Sequence, residues 1–268
     1  MRFIVLIARL IAGLAVAAAL LPAPLAAQPS VLPQLASEDH PMPVDTDFNL
    51  VTAIDVSDSI TRHDEWLQYS GLARGVLDAE FLARISGGLQ RRIGFVAFTW
   101  SSGGEINVVV PWTVIETRAD AQAVAARFDA APRIDRRGFG MYRPGSSSVD
   151  VPRGGLTDIT EAVESAVQLS LNAPFPARRT VINILSNGVD NNGRDPRLVR
   201  DRAISLGMTV NGVVFGGSQG LPDYFRDHVI GGPGAFLMTV QQPGDLRRAL
   251  EKKFWLDLIA GLAATTAG

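Results

Sequence analysis

The chain alternates short, mostly apolar segments with longer segments in which apolar residues recur at helical spacing. Six apolar segments are predicted to be strands, over residues 48–54, 92–98, 105–110, 180–185, 209–215 and 235–240. Helical spacing predicts helices over residues 64–82, 119–128, 158–171, 196–206, 221–230 and 244–262. Mostly apolar strands without a regular alternation of apolar and polar residues are typical of a parallel sheet covered on both faces. We therefore predict an α/β fold, in which a three-layer, doubly wound, mostly parallel six-stranded sheet carries helices on both faces.

One connection in this pattern is too short for a parallel crossover. The second and third predicted strands are separated by only six residues, which include the turn sequence SSGG at 101–104. A connection of this length favours an antiparallel hairpin, so we expect one short antiparallel strand at the edge of the sheet. In doubly wound sheets ligands bind at the carboxyl ends of the strands, which directs attention to the loops after Ile54, Leu185 and Phe215.

The first 27 residues have the pattern of a secretory signal peptide. Arg2 and Arg9 are the only charges in this segment, and a run of Leu, Ile, Val and Ala leads through two prolines to Ala26-Ala27. The alternative is an uncleaved membrane anchor, but the uncharged run from Ile11 to Leu21 is short for the roughly 20 residues that a spanning helix needs. We expect cleavage, export across the inner membrane to the periplasm, and no stable membrane insertion afterwards.

The remaining chain is predicted to be a single domain. Residues 28–43, rich in Pro, Ser and acids, are predicted to be a linker, residues 44–262 the domain, and residues 263–268 a C-terminal tail. The formal charge of the 268-residue chain is −2, which argues against nucleic acid as a partner. The absence of cysteine excludes disulfides, a thiol nucleophile and a thiolate-bound metal.

Side chains with carboxylate, hydroxyl or amide oxygens lie in three loops of the predicted fold. Asp55, Ser57 and Ser59 come directly after the first strand, in the sequence DVSDS. Thr157 ends a glycine-rich loop before a helix, and Asn187 lies in the turn SNGVDN after the fourth strand. In the predicted fold all three lie along one edge of the sheet. The simpler alternative for DVSDS is a helix-capping turn, since Ser and Asp are common capping residues.

These residues resemble the metal-ion-dependent adhesion site (MIDAS) of von Willebrand factor type A (vWA) domains. That site combines D-x-S-x-S after the first strand with a loop threonine and with the aspartate of a T-D-G turn. The resemblance covers about residues 44–261, and it extends to exported bacterial vWA-like proteins of unknown function. It implies that Ser57, Ser59 and Thr157 bind a cation directly, while Asp55 holds a cation-bound water. Mg²⁺ fits such oxygen ligands best, with Mn²⁺ or Ca²⁺ as alternatives.

The turn after the fourth strand departs from the family pattern. It reads Ser186-Asn187-Gly188, so Asn187 stands where the family has an aspartate. An amide oxygen accepts a hydrogen bond from a cation-bound water but supplies no charge, so weaker cation binding is expected. Asp190, three residues further on, is a candidate to compensate; the alternative for both residues is ordinary turn chemistry.

The resemblance implies a non-enzymatic protein-interaction domain, whose cation is completed by an Asp or Glu of the partner protein. One alternative is a vWA fold with a degraded site that binds by shape alone. Another is a metal-dependent hydrolase using Asp55, which directly follows an apolar strand. The long loop before Thr157 offers a basic rim for an acidic partner, with Arg137, Phe139, Tyr142 and Arg143 as candidate contacts. The alternative is a solvated loop.

Overall fold

The apolar segments of the sequence form the strands of one sheet. The structure is a computed structural model, which describes residues 44–103, 106–133 and 155–265, with side chains as far as residue 260. The predicted signal peptide (1–27), the linker (28–43) and the candidate contacts Arg137, Phe139, Tyr142 and Arg143 lie outside the described residues.

Six strands are present in the described part of the chain, and they pair in the order β3-β2-β1-β4-β5-β6. They are β1 (Phe48–Asp55), β2 (Ile93–Trp100), β3 (Ile106–Ile115), β4 (Thr180–Ser186), β5 (Met208–Phe215) and β6 (Leu237–Val240). Every pairing is parallel except that of β2 with β3, as the short turn between them predicts. The predicted α/β sheet with one antiparallel edge strand is confirmed.

Helices cover both faces of this sheet. They are α1 (Arg62–Val76), α2 (Ala79–Ser86), α3 (Arg118–Ala130), α4 (Ile159–Leu171), α5 (Arg197–Ser205), α6 (Leu221–Tyr224) and α7 (Leu246–Thr265). A π-helical turn, Phe225–Val229, continues α6, and a 3₁₀ turn, Pro243–Asp245, leads into α7. One buried core lies under α1, α2, α3 and α7, and a second lies under α4, α5 and the π-helical turn. These three layers are typical of a doubly wound sheet.

Two of the elements differ clearly in extent from the sequence prediction. The helix predicted over 64–82 is two helices, because Asp78 caps a new helix by accepting hydrogen bonds from the N–H groups of Glu80 (2.9 Å) and Phe81 (3.0 Å). The antiparallel edge strand is long rather than short, since β3 runs through Pro111 to Ile115. Proline is tolerated in an edge strand, and here the register with β2 shifts beside it, as at a β-bulge.

The strand order reverses at β1, which pairs with β2 on one side and with β4 on the other. Crossovers leave such a switch point in opposite directions, so a crevice opens at the carboxyl ends of β1 and β4. β1 ends at Asp55 and β4 ends at Ser186, which brings the two predicted site segments together. Of the helices that the structure describes, none is both long enough and apolar enough to cross a membrane.

Candidate metal centre

Asp55 forms the floor of the site at the end of β1. Its side chain is fully buried, and its two carboxylate oxygens accept hydrogen bonds from different loops. The Ser57 N–H donates to Oδ1 (2.8 Å), and the Ser186 hydroxyl donates to Oδ2 (2.7 Å). Burial raises the pKa of Asp55, and hydrogen bonds from Ser186, Ser57 and the Asn187 backbone partly oppose this shift. The site therefore contains a buried carboxylate whose charge a nearby cation would stabilise.

Three hydroxyl groups lie together beside this carboxylate, and we call them the hydroxyl cluster: Ser57, Ser59 and Thr157. The Ser57 Oγ lies 3.2 Å from the Ser59 Oγ and 3.3 Å from the Thr157 Oγ1. Ser57 and Thr157 are buried, whereas Ser59 is exposed. The cluster therefore reaches from the protein interior to the surface.

The loop that carries Thr157 is fixed from two sides. The Thr157 N–H donates to Asn191 Oδ1 (2.8 Å), and the Asn191 N–H donates to the Thr157 carbonyl (2.9 Å). On the other side the Asp58 N–H donates to the Gly155 carbonyl (2.9 Å). Gly155 has a φ of +107°, a backbone conformation that residues with a Cβ rarely adopt, so this position favours glycine.

Asn187 links the turn after β4 to the loop after β1. Its Oδ1 accepts a hydrogen bond from the Ser59 hydroxyl (2.7 Å), and its Nδ2 donates to the Ser59 carbonyl (3.1 Å). The next residue, Gly188, passes close to the cluster, since a Cβ there would lie 3.4 Å from Thr157 Oγ1. Asparagine stands here instead of the aspartate of the MIDAS pattern, so a neutral amide lies against the hydroxyl cluster.

Asp190 is directed towards helix α4 instead of the hydroxyl cluster. Its Oδ2 accepts hydrogen bonds from the Thr160 N–H (3.1 Å) and the Thr160 hydroxyl (3.2 Å). Its Oδ1 accepts one from the Asn192 N–H (3.1 Å). These contacts are typical of a carboxylate at a helix N-terminus, and they give Asp190 an orienting role in the turn.

Sequence reasoning did not foresee the roles of Ser186, Asn191 and Arg194. Ser186 orients the buried carboxylate and Asn191 fixes Thr157, as described above. Arg194 ties the same turn to α4 through Asp158 (3.1 Å) and Glu161 (2.8 Å). Ser186 occupies the threonine position of the T-D-G pattern, so its hydroxyl was a usable signal. Nothing local in the sequence marks Asn191 or Arg194, because their partners lie more than 30 residues away.

The spacing of the hydroxyl cluster fits a small divalent cation. An octahedral ion with bonds of about 2.1 Å holds adjacent ligand oxygens about 3 Å apart. The separations of 3.2 and 3.3 Å within the cluster are close to this spacing. Among the described residues, no group of three or more His, Asp or Glu is placed to hold a metal. Any cation at this site would therefore depend on hydroxyl oxygens, with Asp55 as the nearest buried charge.

The sequence matches one protein family, described as a protein of unknown function (DUF1194), over residues 45–141 and 147–262. The chain belongs to this family. Comparison of this DUF1194 member with curated proteins finds no match.

Solved structures of other proteins show that this DUF1194 chain has a vWA-like fold. It is similar to proximal thread matrix protein 1 from the mussel byssus, with a TM-score of 0.53 and 16% identity over 81% of this chain. A second structure of that mussel protein, with a TM-score of 0.52, has a MIDAS motif occupied by zinc. The pilus adhesin SpaC from Lactobacillus rhamnosus GG matches with a TM-score of 0.51 and 12% identity, over 80% of this chain and 31% of the adhesin. The chain spans about half the length of the mussel protein, at 49%.

Proposed function

We propose that the chain is an exported, non-enzymatic domain that binds a protein partner through a divalent cation. The hydroxyl cluster would hold the cation, with Asp55 and Asn187 receiving hydrogen bonds from cation-bound waters. The observation that carries this proposal is the convergence of three hydroxyls beside a buried carboxylate at the switch point of the sheet. Mg²⁺ is the ion we propose, because it favours oxygen ligands and retains waters.

A bound cation would supply an open coordination position at the surface. Ser59 is the exposed member of the hydroxyl cluster, so the partner-facing side of a bound ion would lie next to it. A partner's Asp or Glu carboxylate is the complementary ligand, because it is hard and negatively charged. The proposal of export rests on the signal-peptide pattern of residues 1–27.

The environment of Asp55 argues against its use as a nucleophile. A nucleophilic carboxylate must reach the substrate, but Asp55 is fully buried and both of its oxygens accept hydrogen bonds. This is why we favour a binding function over the hydrolase. The neutral Asn187 favours a different alternative, in which the vWA fold binds its partner by shape and without metal.

Affinity capture from periplasmic extract, with and without EDTA, tests the proposal. We expect a protein that binds the wild type with Mg²⁺, is released by EDTA, and fails to bind a Ser57→Ala/Ser59→Ala variant. Ser205→Ala is the matched control, because Ser205 is an exposed serine at the end of α5 away from the cluster, and it should bind as the wild type does. Capture that is insensitive to EDTA and to the double variant would instead support binding by shape alone.

A further inference from the structure

A row of buried polar residues crosses the centre of the sheet. Thr52, Asn183 and Asn211 occupy one register on β1, β4 and β5, and all three are buried. The neighbours of Asn183 on the same face of β4, Val181 and Leu185, belong to the core under α7. Central strands of such a sheet are normally apolar on both faces, so this row requires a specific partner.

Helix α7 places that partner over the row. Lys253 and Asp257 lie one turn apart on α7, and both side chains are fully buried. The Lys253 Nζ donates a hydrogen bond to Asn183 Oδ1 (2.6 Å) and pairs with Asp257. It also lies 4.4 Å from the centre of the Phe236 ring. An amine, a carboxamide and a carboxylate therefore meet in an enclosed space.

The Asp257 carboxylate contacts both the Lys253 Nζ and the Asn183 Nδ2. It pairs with the amine through Oδ1 and accepts a hydrogen bond from Asn183 Nδ2 at Oδ2 (2.7 Å). Asn211 supports Asp257 from the side through its Nδ2 (2.9 Å), while its own Oδ1 accepts the Phe236 N–H. Asn183 is thus the carboxamide in contact with the amine.

We propose that Lys253 and Asn183 become joined by an intramolecular isopeptide bond, with Asp257 carrying the protons. Asp257 takes one proton from the Lys253 ammonium, and the neutral amine forms a new bond to Asn183 Cγ. The bond from Cγ to Nδ2 breaks, and Nδ2 leaves as ammonia after receiving one further proton from the former ammonium. The products are a Lys–Asn amide, ammonia and a protonated Asp257, so atoms and charge balance without any oxidant or co-reactant.

The geometry and the burial support this step. A hydrogen bond of 2.6 Å to Asn183 Oδ1 leaves the amine about 3.4 Å from the carbonyl carbon, for an angle near 120° at oxygen, which is within near-attack range. Burial lowers the pKa of the Lys253 ammonium, although the charge of Asp257 and its hydrogen bond oppose this shift. Loss of the proton to Asp257 also removes two opposite charges from an apolar interior.

The bond would fasten the C-terminal helix to a central strand of the sheet. The chain has no cysteine, so a disulfide cannot supply such a covalent connection. The proposal is independent of the hydroxyl cluster, because it concerns the middle of the sheet and not the carboxyl ends of β1 and β4.

Tryptic peptide mapping of the purified full-length protein by mass spectrometry tests the proposal. Trypsin should fail to cleave after Lys253, and residues 180–194 should appear joined to residues 253–268. The joined pair should weigh about 17 Da less than the two peptides together, the mass of one ammonia. Three Asn-Gly sequences (at Asn187, Asn192 and Asn211) can lose the same mass by forming a cyclic imide, so the joined peptide is the diagnostic product.

Two variants test whether the joined peptide depends on Asp257 and whether the neighbouring Lys252 is uninvolved. Asp257→Asn keeps both reacting groups but removes the proton carrier, so we expect separate peptides and cleavage after residue 253. Lys252→Arg is the matched control on the adjacent exposed residue, which pairs with Asp78, and it should retain the joined peptide. Separate, unmodified peptides from the wild type would overturn the proposal, whether or not the Asp257→Asn variant folds. A link within residues 253–268, from Lys253 to Asp257, would also overturn it.

Discussion

The side chain of Asn187 joins the two loops of the site through both atoms of its amide. Its oxygen accepts the Ser59 hydroxyl and its nitrogen donates to the Ser59 carbonyl. An aspartate here would keep the first contact and lose the second. The neutral Asn187 therefore stabilises the metal-free arrangement of the loops, but it would supply no negative charge to a cation bound beside it.

Asn187→Asp is expected to bind Mg²⁺ more tightly and to be less stable without it. The added carboxylate attracts the cation, and we expect about tenfold tighter binding, or about 1.4 kcal/mol. Without metal the new charge faces the Ser59 carbonyl, so the melting temperature should fall. Calorimetric titration and thermal unfolding measure the two effects.

The control for this substitution is Asn172→Asp, which adds the same charge at the exposed end of α4 and should leave Mg²⁺ affinity unchanged. Equal affinity of Asn187→Asp and the wild type would contradict a cation position next to residue 187.

Asp55→Asn is expected to abolish metal binding without destabilising the metal-free fold. The asparagine can accept from the Ser57 N–H and donate to the Ser186 hydroxyl, so these two hydrogen bonds survive. Because burial raises the pKa of Asp55 in the folded state, ionisation at neutral pH costs folding free energy. The variant should therefore melt at or above the wild-type temperature at pH 7.

The pH dependence provides a check on the sign of this effect. Below the usual pKa of 3.8 the carboxyl is protonated in both folded and unfolded chains, so the advantage of Asp55→Asn should disappear there. Thermal unfolding in EDTA between pH 3 and pH 7 measures it. A variant that melts well below the wild type at pH 7 would show that the carboxylate contributes net stability without metal.

At the scale of elements, the junction between α1 and α2 depends on Asp78. Its side chain is 8% exposed, caps α2 and pairs with Lys252 of α7 (2.9 Å). Burial works to raise the pKa of Asp78, but the hydrogen bonds from Lys252, Phe81 and Glu80 outweigh it, so the pKa is lowered. The capping contact therefore stabilises the protein at neutral pH and is lost in acid.

Asp78→Ala is expected to lower the free energy of unfolding by about 1 kcal/mol at pH 7, as for the loss of other helix caps. The difference should persist above pH 3.8 and shrink as the pH falls through the lowered pKa of Asp78. Urea unfolding at pH 7 and near pH 3 measures it. Asp245→Ala, which removes an exposed carboxylate 3.9 Å from Arg248, should change stability little at either pH. Equal losses for the two variants would contradict the capping role.

The sequence predicted which segments form strands and which strand is antiparallel, but it did not predict where every element ends. Apolar periodicity continues across Leu77 and Asp78, so one helix was expected where a cap starts another. The third strand was predicted to end at Val110, yet an edge strand needs fewer backbone donors and β3 continues past Pro111. Both errors arise because a local pattern does not show which neighbour an element has.

At the scale of the whole molecule, strand order explains why the site could be anticipated. Asp55 and Ser186 are 131 residues apart in the chain, but both end strands that pair at the switch point. The motif at 55–59 and the loop threonine therefore indicate one edge of the sheet from the sequence alone. Asp190, Asn191 and Arg194 could not be assigned in this way, because the shape of their turn depends on contacts with α4.

The polar row beneath α7 was also beyond the sequence prediction. Asn183 and Asn211 each lie in a mostly apolar strand, and nothing around Lys253 and Asp257 in the sequence distinguishes them from other charged residues of a helix. Only the packing of α7 against the sheet brings them together. A buried group of this kind is satisfied across three elements, so no short segment of sequence identifies it.

Calorimetric titration of the full-length protein with Mg²⁺ is the most direct test that the hydroxyl cluster holds a cation. We predict saturable binding at one site, lost in the Ser57→Ala/Ser59→Ala variant and retained in Ser205→Ala. If the wild type binds none of Mg²⁺, Mn²⁺ and Ca²⁺, or if the double variant binds as tightly as the wild type, the cluster is not a cation site.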